Sequence, residues 1–323
     1  MIYQFIFNFI LTLFLYNYYL TKINYKILYD RNPLGLGSKK KTKTGSGIIF
    51  SIILSINCLL FFSQEFSEII PNRFYIFPVS IILLSFISFF DDLKPLDPTL
   101  RLAAQTIIIY FSLSLIDLYY FKLPLKLVIF LYLFFWIYIT NITNFLDGSD
   151  GYLSVNIISL LLGIIIINQF LPNIFFSYHI AIIFLPILLS FIYFNKPKAK
   201  LYMGDSGSIM IGYIIGFCLL EFLSSNYWYL SIALYSYPVI DCSLTILKKV
   251  LSGSSVFNRN FSYFFQIPIK KLQKNNYVVL LVSIIYNLLN LLVIFFILYL
   301  ANPYIVVISI ILSLIKIYIF QKI

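Results

Sequence analysis

The stretch Phe89-Phe90-Asp91-Asp92-Leu93-Lys94-Pro95-Leu96-Asp97-Pro98 sets two adjacent carboxylates at the end of a long uncharged run and a third five positions on. Two carboxylates about 4 Å apart repel by roughly 4 kcal/mol at an effective dielectric of 20. A chain brings such groups together when a positive charge sits between them, and a metal ion is the usual candidate. Asp97 before Pro98 also suits a helix start, as N-cap with proline in the first turn. Asp91 and Asp92 end an apolar helix, where the dipole disfavours negative charge. Arg101 and Gln105, four apart, share one face of the following helix. That face serves either a site or an interfacial anchor and bundle contact.

Three later stretches carry similar chemistry. Asn141 to Gly151 holds two Asp-Gly pairs, at Asp147 and Asp150, plus Asn144. One pair is ordinary turn chemistry. Two, with an amide beside them and long apolar runs on either side, suit the hydroxyls and base donors of a nucleoside. Asn195 to Ser208 ends in Gly204-Asp205-Ser206-Gly207-Ser208. Free amides at a helix start there would bind phosphate, with Ser206 or Ser208 as cap. Asp205 suits Mg²⁺, which takes one or two carboxylates plus phosphate oxygens, or else serves as a plain N-cap. The fourth stretch, 238–266, holds Pro238, Asp241, Gly253 and Arg259. Arg259 either clasps a phosphate bidentately or is an ordinary basic residue beside a membrane.

These residues need a scaffold, and composition says which. The 323 residues are 61% hydrophobic and 11% charged, with a mean hydropathy of +0.94. Soluble domains carry about 25% charged residues, so a membrane-embedded, all-α bundle is the class that fits. Eleven apolar stretches read as spans, at about 2–20, 46–63, 74–90, 102–117, 123–140, 152–169, 174–194, 207–224, 227–246, 277–299 and 302–320. No gap is long enough for a soluble domain, so residues 1–323 read as one integral-membrane domain. The first run lacks a basic start and a small-residue cleavage site, and reads as a retained span.

With the N-terminus outside, 20 of the 23 lysines and arginines fall on the inner side, and only Arg73, Lys122 and Lys126 fall outside. The positive-inside rule then places the C-terminus in the cytoplasm. It also accounts for the net charge of +11 without a nucleic-acid partner. The same orientation gathers Asp91, Asp92, Asp97, Asp147, Asp150, Asp205 and Asp241 at cytoplasmic ends, which points to a site on that face. Cys58, Cys218 and Cys242 have no paired spacing and read as small core residues. His179, the one histidine, reads as a buried and satisfied side chain.

FFDDLKPLDPTLRLAAQ, NFLDGSDG and NKPKAKLYMGDSGS, in this order, resemble the polyprenyl-phosphate N-acetylhexosamine-1-phosphate transferases, a family that includes the phospho-N-acetylmuramoyl-pentapeptide transferases. The Arg101-Leu102 and Gln105 continuation resembles the N-acetylglucosamine and O-antigen initiating branch more than the muramoyl-pentapeptide branch. The resemblance implies an enzyme of the bacterial cytoplasmic membrane. A polyprenyl (undecaprenyl) phosphate would attack the β-phosphorus of a UDP-N-acetyl amino sugar, releasing UMP and starting a cell-surface glycan. It implies Mg²⁺ or Mn²⁺ on Asp205 and Asp92, with Asp91 and Asp92 as the catalytic pair. Asn144, Asp147, Asp150, Asn195 and Arg259 would bind substrate, and a homodimer is compatible with it.

Two departures stand out. Lys43-Thr44-Gly45-Ser46-Gly47 replaces the family's Thr-Pro-x-Gly-Gly. Asn258 to Phe264 keeps the arginine of a histidine-rich motif but no histidine. If Phe261, Tyr263 and Phe264 line the sugar pocket in their place, a sugar lacking a hydroxyl is favoured. Two other classes fit parts of the pattern. A transporter would put its ionisable residues near the bilayer midplane, not at span ends. An intramembrane prenyltransferase would share the Asp–Mg²⁺ chemistry without needing the Gly-Asp-Ser-Gly-Ser helix start.

Overall fold

A computed structural model describes residues 2–23, 28–29, 42–64, 72–118, 120, 122–172, 175–253, 263–271 and 276–323. Among them the regular structure is helical, with isolated bridges joining Lys43 to Tyr29 and to Leu201. The helices are α1 (Ile2–Lys22), α2 (Gly47–Gln64), α3 (Ile76–Leu93), α4 (Pro98–Ser112), α5 (Leu125–Leu146), α6 (Tyr152–Phe170), α7 (Ser177–Asn195), α8 (Asp205–Leu223), α9 (Trp228–Leu251), α10 (Gln266–Lys271), α11 (Asn276–Tyr299) and α12 (Val306–Lys322). Each of the eleven apolar stretches forms a helix, and the short α10 is additional. Within the described residues, eight helices are long and apolar enough to cross a bilayer on those grounds alone. The chain is an all-α polytopic membrane protein.

α4 begins four residues before the expected span. Asp97 accepts the Thr99 amide at 2.8 Å, and Pro98 occupies the first turn, as the dipeptide predicts. The Thr99 hydroxyl, followed by its amide, holds the exposed Asp97 carboxyl below its ordinary pKa. At 15 residues α4 is only about 22 Å long, short of a ~30 Å hydrocarbon core. A single 3₁₀ turn, Leu113–Leu115, extends it.

α8 is the axis of the bundle, and nearly its whole length is buried. It is flanked by α2, α3, α5 and α9. Hydrophobic burial does not drive helices together inside lipid, so close approach depends on small residues. A Cβ on Gly216 would lie 2.2 Å from the Trp136 ring, and one on Gly212 would lie 2.6 Å from the Thr140 carbonyl oxygen. The glycines thus let α5 lie against α8, where Trp136 donates its indole N–H to the Tyr213 carbonyl at 2.8 Å. The outer helices turn apolar side chains outward instead, among them Phe130, Phe134, Leu288 and Leu292. α9 is broken at Tyr235 (φ −137°, ψ 21°), three residues before Pro238, whose ring clashes one turn back and which has no N–H to donate. Cys58, Cys218 and Cys242 are free and buried, as their spacing predicts.

Candidate active site

The last turn of α3 carries Asp91 and Asp92, and they point to different partners. Asp91 Oδ1 accepts the Leu96 amide at 2.7 Å, which closes the corner into α4. Its Oδ2 meets Arg101 Nη1 at 2.7 Å, and the same Nη1 lies 2.7 Å from Asp205 Oδ2. The positive charge that the acidic pair calls for is therefore supplied in part by a guanidinium. Of the two roles open to Arg101, site or interfacial anchor, the structure shows the first: it lies in the carboxylate cluster. Gln105, one turn on, accepts from Asn141 at 3.0 Å, so this face of α4 meets the end of α5.

Asp92 turns to α8. Its two oxygens accept the amides of Asp205 (3.0 Å) and Ser206 (3.2 Å). It caps α8 as an N-cap side chain would, but from 113 residues upstream. Gly204 makes this approach possible: its φ is +73°, and a Cβ there would sit 2.4 Å from Asp92 Oδ2. The expectation of free amides awaiting phosphate is corrected here. Asp92 takes the first two, and the Gly204 carbonyl accepts those of Gly207 and Ser208. Neither serine caps the helix. The Ser206 hydroxyl donates to the Met203 carbonyl, and that of Ser208 to Asn144 Oδ1 at 2.7 Å and the Gly204 carbonyl. Asp205 is the first residue of the helix rather than its N-cap, which is Gly204.

Asn144 thus joins the end of α5 to the first turn of α8, with Asp147 half-buried at the C-cap of α5, one turn further on. Asp150 and Asn195 sit differently from the substrate contacts expected of them, because both are buried and engaged within the chain. Asp150 accepts the Lys198 and Ala199 amides at 3.0 and 3.2 Å and the Tyr202 hydroxyl at 3.0 Å. Asn195 Oδ1 accepts from Gly151 N and Ser154 Oγ, while its amide donates to the Leu201 carbonyl. Together they stitch the 147–151 turn to the 195–202 segment. The Lys43–Gly47 stretch packs on the same segment: Lys43 accepts the Tyr202 amide at 2.7 Å, and Gly47 donates to the Met203 carbonyl at 2.9 Å. Lys43 Nζ meanwhile caps α1, donating to the Leu20 and Ile23 carbonyls.

Arg259 and Phe261 lie outside the described residues. Of the two aromatics expected in the pocket wall that are described, Phe264 departs from that expectation and Tyr263 stays beside the Asn144–Asp147 turn. Phe264 is buried in the core, and Tyr263 stacks on Phe145 at 5.7 Å. Asp241 is fully buried and holds Tyr237 and the Phe264 amide, apart from the Arg101 cluster.

Among the described residues, no three His, Cys, Asp or Glu side chains converge as a metal site. Asp92 and Asp205 do stand side by side and offer hard oxygen donors. Mg²⁺ takes only one or two carboxylates when phosphate supplies further ligands. A carboxylate oxygen that accepts one amide keeps a second lone pair. The pair fits such an ion.

Fold and site together define a helical, multi-pass membrane protein with a cluster of carboxylates, a guanidinium and amides where helix ends meet. Residues 74–223 match glycosyl transferase family 4. The phospho-N-acetylmuramoyl-pentapeptide-transferase of Petrotoga mobilis is 32% identical over 200 residues, 55% of this chain and 60% of that protein. The protein of that name from Thermotoga neapolitana is 28% identical over 261 residues, 77% of this chain and 82% of the relative. For that of Streptococcus agalactiae serotype III the identity is 30% over 198 residues, 54% of this chain and 58% of the relative. The family 4 match thus covers a little under half of the chain, and the apolar helices and these relatives make it a multi-pass protein of the bacterial cytoplasmic membrane.

Proposed function

We propose that this chain transfers an N-acetylhexosamine 1-phosphate from a UDP-sugar to a polyprenyl phosphate at the cytoplasmic face of the membrane. A lipid phosphate oxygen attacks the β-phosphorus of the donor. The bond from that phosphorus to the bridging oxygen breaks, and UMP leaves. The supporting observation is the cluster itself: Asp91, Asp92, Asp205 and Arg101 meet at helix ends within the part of the chain that matches family 4. A substrate with a lipid tail and a polar head requires chemistry at such a boundary.

Phosphoryl transfer needs alignment and charge neutralisation more than covalent chemistry. Asp91 orients the lipid phosphate or takes its proton. Arg101 fixes the spacing of Asp91 and Asp205 and offers positive charge to an anionic substrate. Asp92 and Asp205 would hold a divalent cation, Mg²⁺ or Mn²⁺, which when bound neutralises the diphosphate. Asn144 and Asp147 contact nucleoside and sugar, and Arg259 steadies phosphate. Asp150 and Asn195 shape the wall behind them, because their polar atoms already bond within the chain.

Two donors divide the branches of this reading. Arg101 and Gln105 favour UDP-N-acetylglucosamine or a related simple sugar, and so the start of a surface glycan such as O-antigen. The names of the three relatives favour UDP-N-acetylmuramoyl-pentapeptide and peptidoglycan. Membranes containing the protein, given polyprenyl phosphate and each donor in turn, decide between them. Lipid-linked product is expected with the simple sugar. Product from the pentapeptide donor alone would establish the second branch. Turnover of neither would refute the reaction.

A further inference from the structure

Lys316, in α12, is 1% exposed, and its ammonium has no hydrogen-bond acceptor. Aromatic rings surround it instead. Nζ lies 3.7 Å from the centroid of Tyr237, 4.5 Å from Tyr286, 5.4 Å from Tyr152 and 5.8 Å from Phe320. A desolvated ammonium over aromatic faces is held by the ring quadrupoles, most strongly by the nearest. That nearest ring leads to a second buried charge. The Tyr237 hydroxyl donates to Asp241 Oδ2 at 2.6 Å, and Asp241 is 0% exposed. Tyr237 therefore stands between the cation and the anion.

The other oxygen of Asp241 accepts the Phe264 amide at 3.0 Å. The residues around Phe264 grip the 145–152 turn at three points. Tyr263 stacks on Phe145 at 5.7 Å, and Phe265 stacks on Tyr152 at 4.3 Å with the rings 7° from parallel. Gln266 lies against Gly148, where an added Cβ would meet its amide nitrogen at 2.6 Å. Asp147, assigned to the donor, sits inside this grip.

We propose that Lys316 is a positioning residue for the donor-binding turn, acting through Tyr237 and Asp241 on the Phe264 amide and so on the 145–152 backbone. The inference rests on the transferase reading for the role of Asp147, but its structural content does not. Lys316 balances the charge of Asp241. Without it, Asp241 becomes an uncompensated buried anion, which is strongly unfavourable. The carboxylate then gains by moving toward water or taking a proton, and either change releases the Phe264 amide.

Hydrogen exchange of the purified full chain, read on the peptides covering 263–271 and 145–152, tests this directly. Lys316→Met is expected to speed exchange in both peptides by about tenfold or more, with an α7 peptide unchanged. Lys316→Met combined with Asp241→Asn removes both charges and keeps an acceptor for Phe264, so exchange should return toward the wild-type rate. Wild-type exchange in the single variant, or a double variant looser than either single one, would overturn the proposal. Should Lys316→Met fail to accumulate, Tyr237→Phe decides: it keeps the ring and removes the link, and the same loosening is expected. Wild-type exchange there would refute the link.

In transfer assays Lys316→Met should raise KM for the UDP-sugar about tenfold, with KM for the lipid phosphate and kcat nearly unchanged. A purely structural defect would lower the active fraction and leave both KM values alone, against the proposal. If the wild type transfers nothing, the transferase reading fails, while the exchange result still decides the structural link.

Discussion

Single side chains in this site divide by what their polar atoms already do. Asp205 pairs with Arg101 at the start of α8, whereas Asp150 accepts three hydrogen bonds inside the chain. The two carboxylates should therefore respond differently to substitution. Asp205→Asn is expected to lower kcat by about 100-fold or more while the protein accumulates normally, the scale seen when one group stabilising a transition state is removed. Near-normal turnover would return Asp205 to a purely structural role. Asp150→Ala leaves two amides and a hydroxyl unpaired, a loss of about 1–3 kcal/mol for each group that stays buried without a partner. Its thermal midpoint in detergent should fall, with kcat per folded molecule within a few-fold of wild type. A catalytic collapse at unchanged stability would make Asp150 a substrate contact after all.

The difference between Asp150 and its neighbour Asp147 was not legible in the sequence. Asp147 and Asp150 stand in the same Asp-Gly context, and only the chain folded against Asp150 separates them. Asp97 was legible because its partner, Thr99, is two residues away. The cap on α8 was not, since Asp92 reaches it from another helix. The pairing of Arg101 left only a faint trace, its shared face with Gln105, because its partners lie 10 and 104 residues distant.

Among the elements, α8 was legible as a span but not as the axis. Gly204 and Gly207 suit close backbone approach on sequence grounds alone, whereas Gly212 and Gly216 gain their packing role only from what α5 brings against them. A Cβ on Gly47 would lie 2.1 Å from the Gly207 backbone nitrogen, so α2 and α8 touch backbone to backbone beside the site. Gly216→Val, far from the carboxylates, should press on Trp136 and destabilise by about 1–3 kcal/mol or more, the range for overpacking. Gly47→Val should instead shift the start of α8 and lower activity more than stability. Thermal unfolding and turnover, measured side by side on both variants, check this division. Equal effects on both quantities in the two variants would contradict it.

At the scale of the whole molecule, the eleven apolar stretches all became helices, although α4 is too short to span unaided. The distribution of lysines and arginines predicts that reporters fused after Lys43, Lys94, Lys198 and Lys271 all lie in the cytoplasm. An external signal at Lys198 would separate Asp205 from Asp91 across the bilayer, contrary to the ion pairs both make with Arg101. The central claim is that phosphorus moves with the sugar. Membranes containing the protein are given polyprenyl phosphate and UDP-N-acetylglucosamine labelled with ³²P at the β-phosphorus, and the label is traced. The account predicts ³²P in the lipid fraction and unlabelled UMP in the aqueous one. Sugar appearing on lipid while the ³²P stays behind in UDP would contradict it.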